Sequence, residues 1–166
     1  MHTRTWEITI MLGSLVALTI VVSLQNISPA LAQLDQQTFT SQMSGEEEVP
    51  PVDGMASGTA KFNLGSDGSS IDYQLNVTDV SGVTAAHIHS GNVGENGPVI
   101  VTLFESDTPT NQINGVLADG TFSASDLEGP MEGMELSDLV SAMSNGVTYV
   151  NLHTQTNPEG EIRGQI

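Results

Sequence analysis

The chain has no cysteine, few aromatic residues and very few basic residues. The absence of cysteine excludes disulfide bonds and thiolate metal sites. Because there are only one Trp, two Tyr and four Phe, a folded core must be built mainly from aliphatic side chains. The sequence contains three Lys and Arg residues and 20 Asp and Glu residues, which gives a formal net charge of −17. Such a surface repels phosphate backbones and attracts cations, so nucleic acid is excluded as a partner.

The sequence also lacks the motifs of several enzyme classes. It contains no Gly-x-Ser-x-Gly elbow, no phosphate-binding loop and no dinucleotide-binding fingerprint. No catalytic residue is therefore predicted, and a binding or structural role is favoured over an enzyme. The length of 166 residues suits one domain.

Residues 1–32 are typical of a signal peptide. Arg4 provides a positive start, residues 8–24 are apolar and uncharged, and Ala30-Leu31-Ala32 provides a cleavage site before Gln33. The alternative is an uncleaved anchor, because a membrane span needs about 20 apolar residues. Either way, residues 33–166 are predicted to form one domain that is secreted, periplasmic or at the cell surface. Membrane contact is expected only through an uncleaved N-terminal segment.

Alternation of apolar and polar residues dominates the remainder of the chain, which predicts β-strands. Residues 58–78 are expected to form a hairpin. Other strands are predicted near residues 39–43, 83–89, 99–104, 113–117, 120–122, 147–153 and 161–166. The fold class predicted is all-β, an antiparallel Greek-key-like β-sandwich with one short helix.

Two segments between the strands have their own patterns. The helix is predicted to begin at a Ser137 cap and to end at Asn145-Gly146, with Leu136, Leu139, Val140 and Met143 on one face. Residues 45–53 contain Glu46, Glu47 and Glu48 but match no calcium-binding pattern, so a solvated loop is expected there.

The histidines of the predicted domain are His87, His89 and His153. Residues i and i+2 of a strand project from the same face, so His87 and His89 project together while Ile88 points to the core. The same alternation places Asn151 and His153 on the face opposite Val150 and Leu152. If the two strands are neighbours, the three imidazoles converge.

Three converging imidazoles predict a transition-metal site, with copper or zinc as the expected ion. Three protein ligands leave one coordination position open. Asn151 and Glu161 are candidates for groups that orient the imidazoles from outside the ligand set. The alternative is that the histidines hydrogen-bond to loop groups and bind no metal.

Two long segments, residues 83–104 and 149–165, resemble the CHRD domain family, as does the stretch 125–145. The resemblance extends from about residue 37 to residue 166. It implies an extracytoplasmic β-sandwich and no established catalytic function. The chain is therefore expected to be an exported binding module, for a metal ion or an extracellular protein. A structural or adhesion domain without metal is the alternative.

A second resemblance, at the level of residue order, is to copper–zinc superoxide dismutase. His87, His89, His153 and Arg163 follow one another as a His-x-His strand, a later histidine and a C-terminal arginine do in that family. This chain departs from the pattern because it lacks a fourth histidine for copper, a histidine to bridge a second metal, and the disulfide. A copper-dependent redox enzyme is therefore a further alternative, by analogy alone.

Overall fold

The computed structural model describes residues 37–166, so the predicted signal peptide and its cleavage site lie outside the described residues. In the described range the chain forms eight β-strands and one α-helix. No helix within 37–166 is long and apolar enough to cross a membrane. The strands are β1 (Thr38–Ser44), β2 (Ser57–Leu64), β3 (Ser70–Val80), β4 (Val83–Ser90), β5 (Val99–Glu105), β6 (Ile113–Ser123), β7 (Thr148–Thr154) and β8 (Ile162–Gln165), and the helix is α1 (Leu136–Ser144).

The strands form one antiparallel sheet in the order β5-β4-β7-β8-β1-β2-β3-β6. Strands distant in sequence are therefore neighbours, as in Greek-key folds. Tyr73 on β3 donates a hydrogen bond to the main-chain carbonyl of Leu103 on β5. This bond joins opposite regions of the sheet, which curls into a nearly closed, barrel-like sandwich. The predicted antiparallel β-sandwich with one short helix is confirmed.

The core consists almost entirely of aliphatic side chains, as the composition predicts. Alternate residues of the strands point inward, and α1 adds Leu136, Leu139 and Met143. Burial of each such side chain contributes about 1.5–3 kcal/mol before the cost of ordering the chain. The largest aliphatic side chains that are completely buried are Ile71, Leu75, Ile88, Ile100, Leu139, Leu152 and Ile162.

The prediction of two short strands at 113–117 and 120–122 is wrong, because β6 is continuous. Its register with β3 shifts between Ala118 and Val116, so Leu117 lies in a bulge. Gly120, the predicted start of the second short strand, pairs with Tyr73 on β3. A Cβ atom at Gly120 would lie 3.0 Å from the Tyr73 ring. The ring therefore covers the glycine, and the strand continues past it.

The predicted Ser137 cap of the helix is also wrong. Glu135 is the residue that precedes α1 in extended conformation, and its main-chain N–H donates to the Asp138 carboxylate at 3.1 Å. Ser137 lies in the first turn. The predicted end is correct, since Asn145 follows the last helical residue and Gly146 has a φ of 66°.

Candidate metal centre

The two strands that carry the histidines are direct neighbours in the sheet. β4 pairs with β7, with His87 opposite Asn151 and His89 opposite Tyr149. Ile88 and Leu152 are completely buried in the core. Because side chains alternate, the histidines project from the other face of the sheet. The loops at residues 91–98 and 154–161 supply hydrogen bonds to this face.

The three imidazoles converge as the strand alternation predicts. One ring nitrogen from each of His87, His89 and His153 lies within 4.8 Å of the others. The ring centres are 5.0 Å apart for His87 and His153, 5.7 Å for His87 and His89, and 5.9 Å for His89 and His153. Ligand nitrogens that share a tetrahedral zinc ion lie about 3.4 Å apart, given bonds of about 2.05 Å. A modest contraction of the cluster would therefore bring all three within bonding distance of one ion.

Main-chain carbonyls orient two of the rings. Nδ1 of His89 lies 2.9 Å from the carbonyl oxygen of Gly97, and Nδ1 of His153 lies 2.9 Å from that of Pro158. A carbonyl can only accept a hydrogen bond, so each Nδ1 must carry the proton. The lone pair of each ring is therefore on Nε2, the nitrogen available to a metal.

Three of the other ring nitrogens have no hydrogen-bond partner in the described part of the chain. Nε2 of His89, Nε2 of His153 and Nδ1 of His87 are buried and form no hydrogen bond. A buried polar atom without a partner costs about 1–3 kcal/mol. The cluster therefore presents three unpaired nitrogens, one from each ring.

Burial keeps the cluster uncharged at neutral pH. Burial, together with the neighbouring His153 and His89, lowers the pKa of His87 to about 4. Burial likewise lowers the pKa of His89 and of His153, against the opposing effect of their carbonyl hydrogen bonds. Neutral imidazole is the form that binds metal, so protons compete weakly for these nitrogens.

A stack of side chains leads from the cluster to a buried cation. The Tyr149 ring is stacked on His89 with 4.9 Å between ring centres, and the guanidinium carbon of Arg163 lies 3.5 Å from the centre of the Tyr149 ring. Arg163 is only 2% exposed. Its guanidinium donates hydrogen bonds to the side-chain oxygen of Asn96 and to the carbonyls of Asn92 and Glu95. Arg163 thus supports the loop whose Gly97 carbonyl orients His89.

Glu48 is a buried carboxyl group beside this stack. The side chain is 5% exposed, and Oε1 has no hydrogen-bond partner. Burial raises the pKa of Glu48 to about 7, although the charge of Arg163 acts in the opposite direction. The expectation that residues 45–53 form a solvated loop is therefore wrong at this residue, while Glu46 and Glu47 are exposed.

Comparison with known proteins identifies the family. The CHRD domain matches residues 39–166. This chain belongs to the CHRD domain family. Chordin of Xenopus laevis is 27% identical over 132 residues, which is 75% of this chain but 12% of chordin. No solved structure gives a significant match, so the resemblance to copper–zinc superoxide dismutase stays a hypothesis based on residue order.

The two predicted orienting residues of this CHRD domain lie close to the cluster and contact its loops. Asn151 donates a hydrogen bond to the carbonyl of Glu159 at 3.3 Å. The Glu161 carboxylate accepts hydrogen bonds from Thr154 and Asn157. Both residues therefore stabilise the 154–161 loop, which contains the carbonyl that orients His153.

Sequence reasoning missed Glu48 and Tyr149, and it noted Arg163 only through a family analogy. One signal was available, because Lys61 and Arg163 are the two basic residues of the described range. Arg163 follows Ile162 in a predicted strand, and a cation that is buried there needs hydrogen-bond acceptors. Chemically, the centre combines three neutral nitrogen donors with a charged group behind one of them.

Proposed function

We propose that this chain is an exported binding module whose CHRD domain holds a transition metal ion, copper or zinc. The ligands are Nδ1 of His87, Nε2 of His89 and Nε2 of His153. The observation that carries the proposal is the convergence of three imidazoles, each of which has a buried nitrogen without a partner. A bound ion would give each lone pair a partner and remove the cost of leaving it unpaired.

The alternative, in which the histidines brace the loops and bind no metal, explains only one nitrogen of His89 and one of His153. Hydrogen bonds to Gly97 and Pro158 account for one nitrogen of His89 and one of His153. Bracing of the loops does not account for the second nitrogen of either ring, which is buried without a partner. Asparagine or serine would brace these carbonyls equally well, because each supplies a hydrogen-bond donor.

Export rests on separate support. The N-terminal sequence is typical of a signal peptide, and the CHRD family resemblance implies a domain outside the cytoplasm. The chain spans 12% of chordin, so what chordin does as a whole protein is not carried over to this chain. An extracellular protein partner stays a prediction.

The test distinguishes the two roles of His153, metal binding by Nε2 and the hydrogen bond of Nδ1 to the loop. An asparagine amide can replace Nδ1–H, so His153→Asn is expected to keep the hydrogen bond to Pro158 while removing Nε2. The full chain is titrated with Cu(I), Cu(II) and Zn(II), each in competition with a chelator of known affinity. One ion is expected to bind per chain. In His153→Asn, affinity should fall by more than the roughly 10–100-fold that loss of an outer partner costs.

The matched control is Gln155→Ala, which removes an exposed side chain just after β7 and outside the cluster. This variant should bind metal as the wild type does. Equal metal affinity in the wild type and in folded His153→Asn would reject the site. So would the absence of binding of all three ions by the wild type.

A further inference from the structure

The metal centre contains an unusual balance of charge. Its three ligands are neutral imidazoles, and no carboxylate is among them. The nearest charged side chain in the stack is the cation Arg163, whose burial and acceptors hold it in place. A partly buried site with neutral ligands holds one positive charge at lower cost than two, because desolvation and repulsion increase with the charge.

From this balance we infer that the centre selects copper as Cu(I) over Cu(II) and Zn(II), and that Arg163 sets the preference through Tyr149. This inference rests on the proposed function, since it names the ion that the proposed site prefers. Imidazole ligands are compatible with all three ions, so ligand type alone does not choose among them. The choice comes from the charge that surrounds the ligands.

The electric field of Arg163 acts on His89 over a short distance that is filled by protein rather than water. The stacking distances place the guanidinium carbon within roughly 8.5 Å of the His89 ring centre. Tyr149 fills the space between them and is almost completely buried, which excludes water from the path.

The expected size of the effect follows from Coulomb's law. At an effective dielectric constant of about 20, one unit of charge at about 9 Å changes an equilibrium constant roughly tenfold or somewhat more. Cu(II) and Zn(II) carry one more unit than Cu(I). Removal of the Arg163 charge should therefore reduce the preference for Cu(I) over Cu(II) by about tenfold.

The experiment measures a ratio of affinities in the full chain at pH 8. Dissociation constants for Cu(I), Cu(II) and Zn(II) are determined by competition with chelators for the wild type, Arg163→Gln, Arg163→Lys and Lys61→Gln. A loosened loop at residues 91–98 would weaken all three ions together, so the ratio isolates the effect of charge. Arg163→Lys should retain the wild-type ratio, and Lys61→Gln, which removes a cation on β2, should leave it unchanged.

Glu48→Gln is a second variant, for which the expected change in the preference for Cu(I) is opposite to that of Arg163→Gln. Glu48 opposes the charge of Arg163, and its pKa of about 7 makes most of it anionic at pH 8. Its neutralisation should increase the preference for Cu(I) severalfold. This variant decides the question if Arg163→Gln fails to fold, because a preference that does not increase in Glu48→Gln overturns the inference.

The outcomes separate the two proposals. A wild type that binds none of the three ions rejects the proposed function itself. A wild type that binds metal through the histidines but prefers Zn(II) or Cu(II) rejects only the inference. The same holds for a Cu(I) preference that is unchanged in folded Arg163→Gln.

Discussion

The two nitrogens of His89 and of His153 have different tasks. Nδ1 of each ring donates to a loop carbonyl, and Nε2 is left with a buried lone pair that has no partner. The hydrogen bond decides the tautomer, and the tautomer decides which nitrogen can bind metal. We therefore expect loop structure and the proposed metal affinity to be coupled through single side chains.

Glu48 allows a prediction at the residue scale, because the fold favours its protonated form. Its pKa of about 7 in the folded chain lies above the ordinary value of 4.5. The resulting stabilisation is complete below pH 4.5 and is lost as the pH rises through 7. Glu48→Gln keeps a neutral group at every pH, so we expect it to exceed the wild type in free energy of unfolding by about 1–3 kcal/mol at pH 8.5.

Urea unfolding at pH 5 and pH 8.5 measures this difference. The two proteins should have similar stability at pH 5, where the wild-type carboxyl is protonated in the folded state. Glu47→Gln is the control, because Glu47 is the exposed neighbour in the same loop. A Glu48→Gln variant that is less stable than the wild type at pH 8.5 would contradict a protonated buried acid.

The loop at residues 154–161 contains the carbonyl that orients His153. Gly160 has a φ of 148°, and a Cβ atom there would lie 2.5 Å from both carboxyl oxygens of Glu48 and 2.7 Å from Oδ1 of Asn151. Gly160→Ala should therefore displace the loop and, with it, the carbonyl that orients His153. We expect a loss of about 3 kcal/mol or more, from backbone strain together with overpacking.

Gly94→Ala is the matched control for this prediction. Gly94 has a φ of 78° in the 91–98 loop, and a Cβ atom there would have no neighbour within 4 Å. It should lose only the roughly 1–2 kcal/mol that a left-handed conformation costs an alanine. Chemical denaturation of both variants tests the difference, and equal losses would show that the space beside Glu48 is not tightly filled.

The pH dependence of folding belongs to the whole molecule, because several groups contribute with opposite signs. The pKa values of the three histidines are lowered in the folded chain. Below pH 6.5 the unfolded chain therefore binds more protons than the folded chain, and the free energy of unfolding decreases as the pH is lowered. Glu48 acts in the opposite sense between pH 4.5 and 7. The three histidines should outweigh the single carboxyl.

The His87→Gln variant isolates the contribution of His87 to the pH dependence of the free energy of unfolding. Glu48 contributes equally in this variant and in the wild type, so the difference between the two proteins comes from His87. The pKa of His87 is about 4, so the wild type should lose about 1–3 kcal/mol more than this variant between pH 6.5 and pH 4. Urea unfolding of the metal-free proteins across this range measures the loss. Parallel stability curves would show that His87 is not held neutral by the fold.

Metal should stabilise the whole domain. An ion that binds only the folded chain adds about 2.7 kcal/mol at a free concentration of 100 times its dissociation constant. We therefore expect the bound ion to raise the thermal midpoint, a chelator to reverse the rise, and His153→Asn to show no rise. An equal rise in the variant would assign the stabilisation to the acidic surface instead.

Most of the strands and the face of the histidines could be predicted from the sequence. Alternation has a period of two, and it applies to each strand without knowledge of its neighbours. It placed Ile88 and Leu152 inside and all three histidines outside. It failed at β6, where Gly120 is covered by Tyr73 from another strand. The preference for a serine cap failed at α1, where Glu135 rather than Ser137 precedes the helix.

The sequence by itself determined that the chain has an aliphatic core without disulfides, an acidic surface and three histidines on one face, because these follow from composition and local periodicity. Only the tertiary structure decided that β4 and β7 are neighbours, that carbonyls fix the tautomers, and that Glu48 and Arg163 are buried beside the cluster. Those features depend on contacts between residues up to about a hundred positions apart. Their pKa values and partners arise from burial, which no local pattern records.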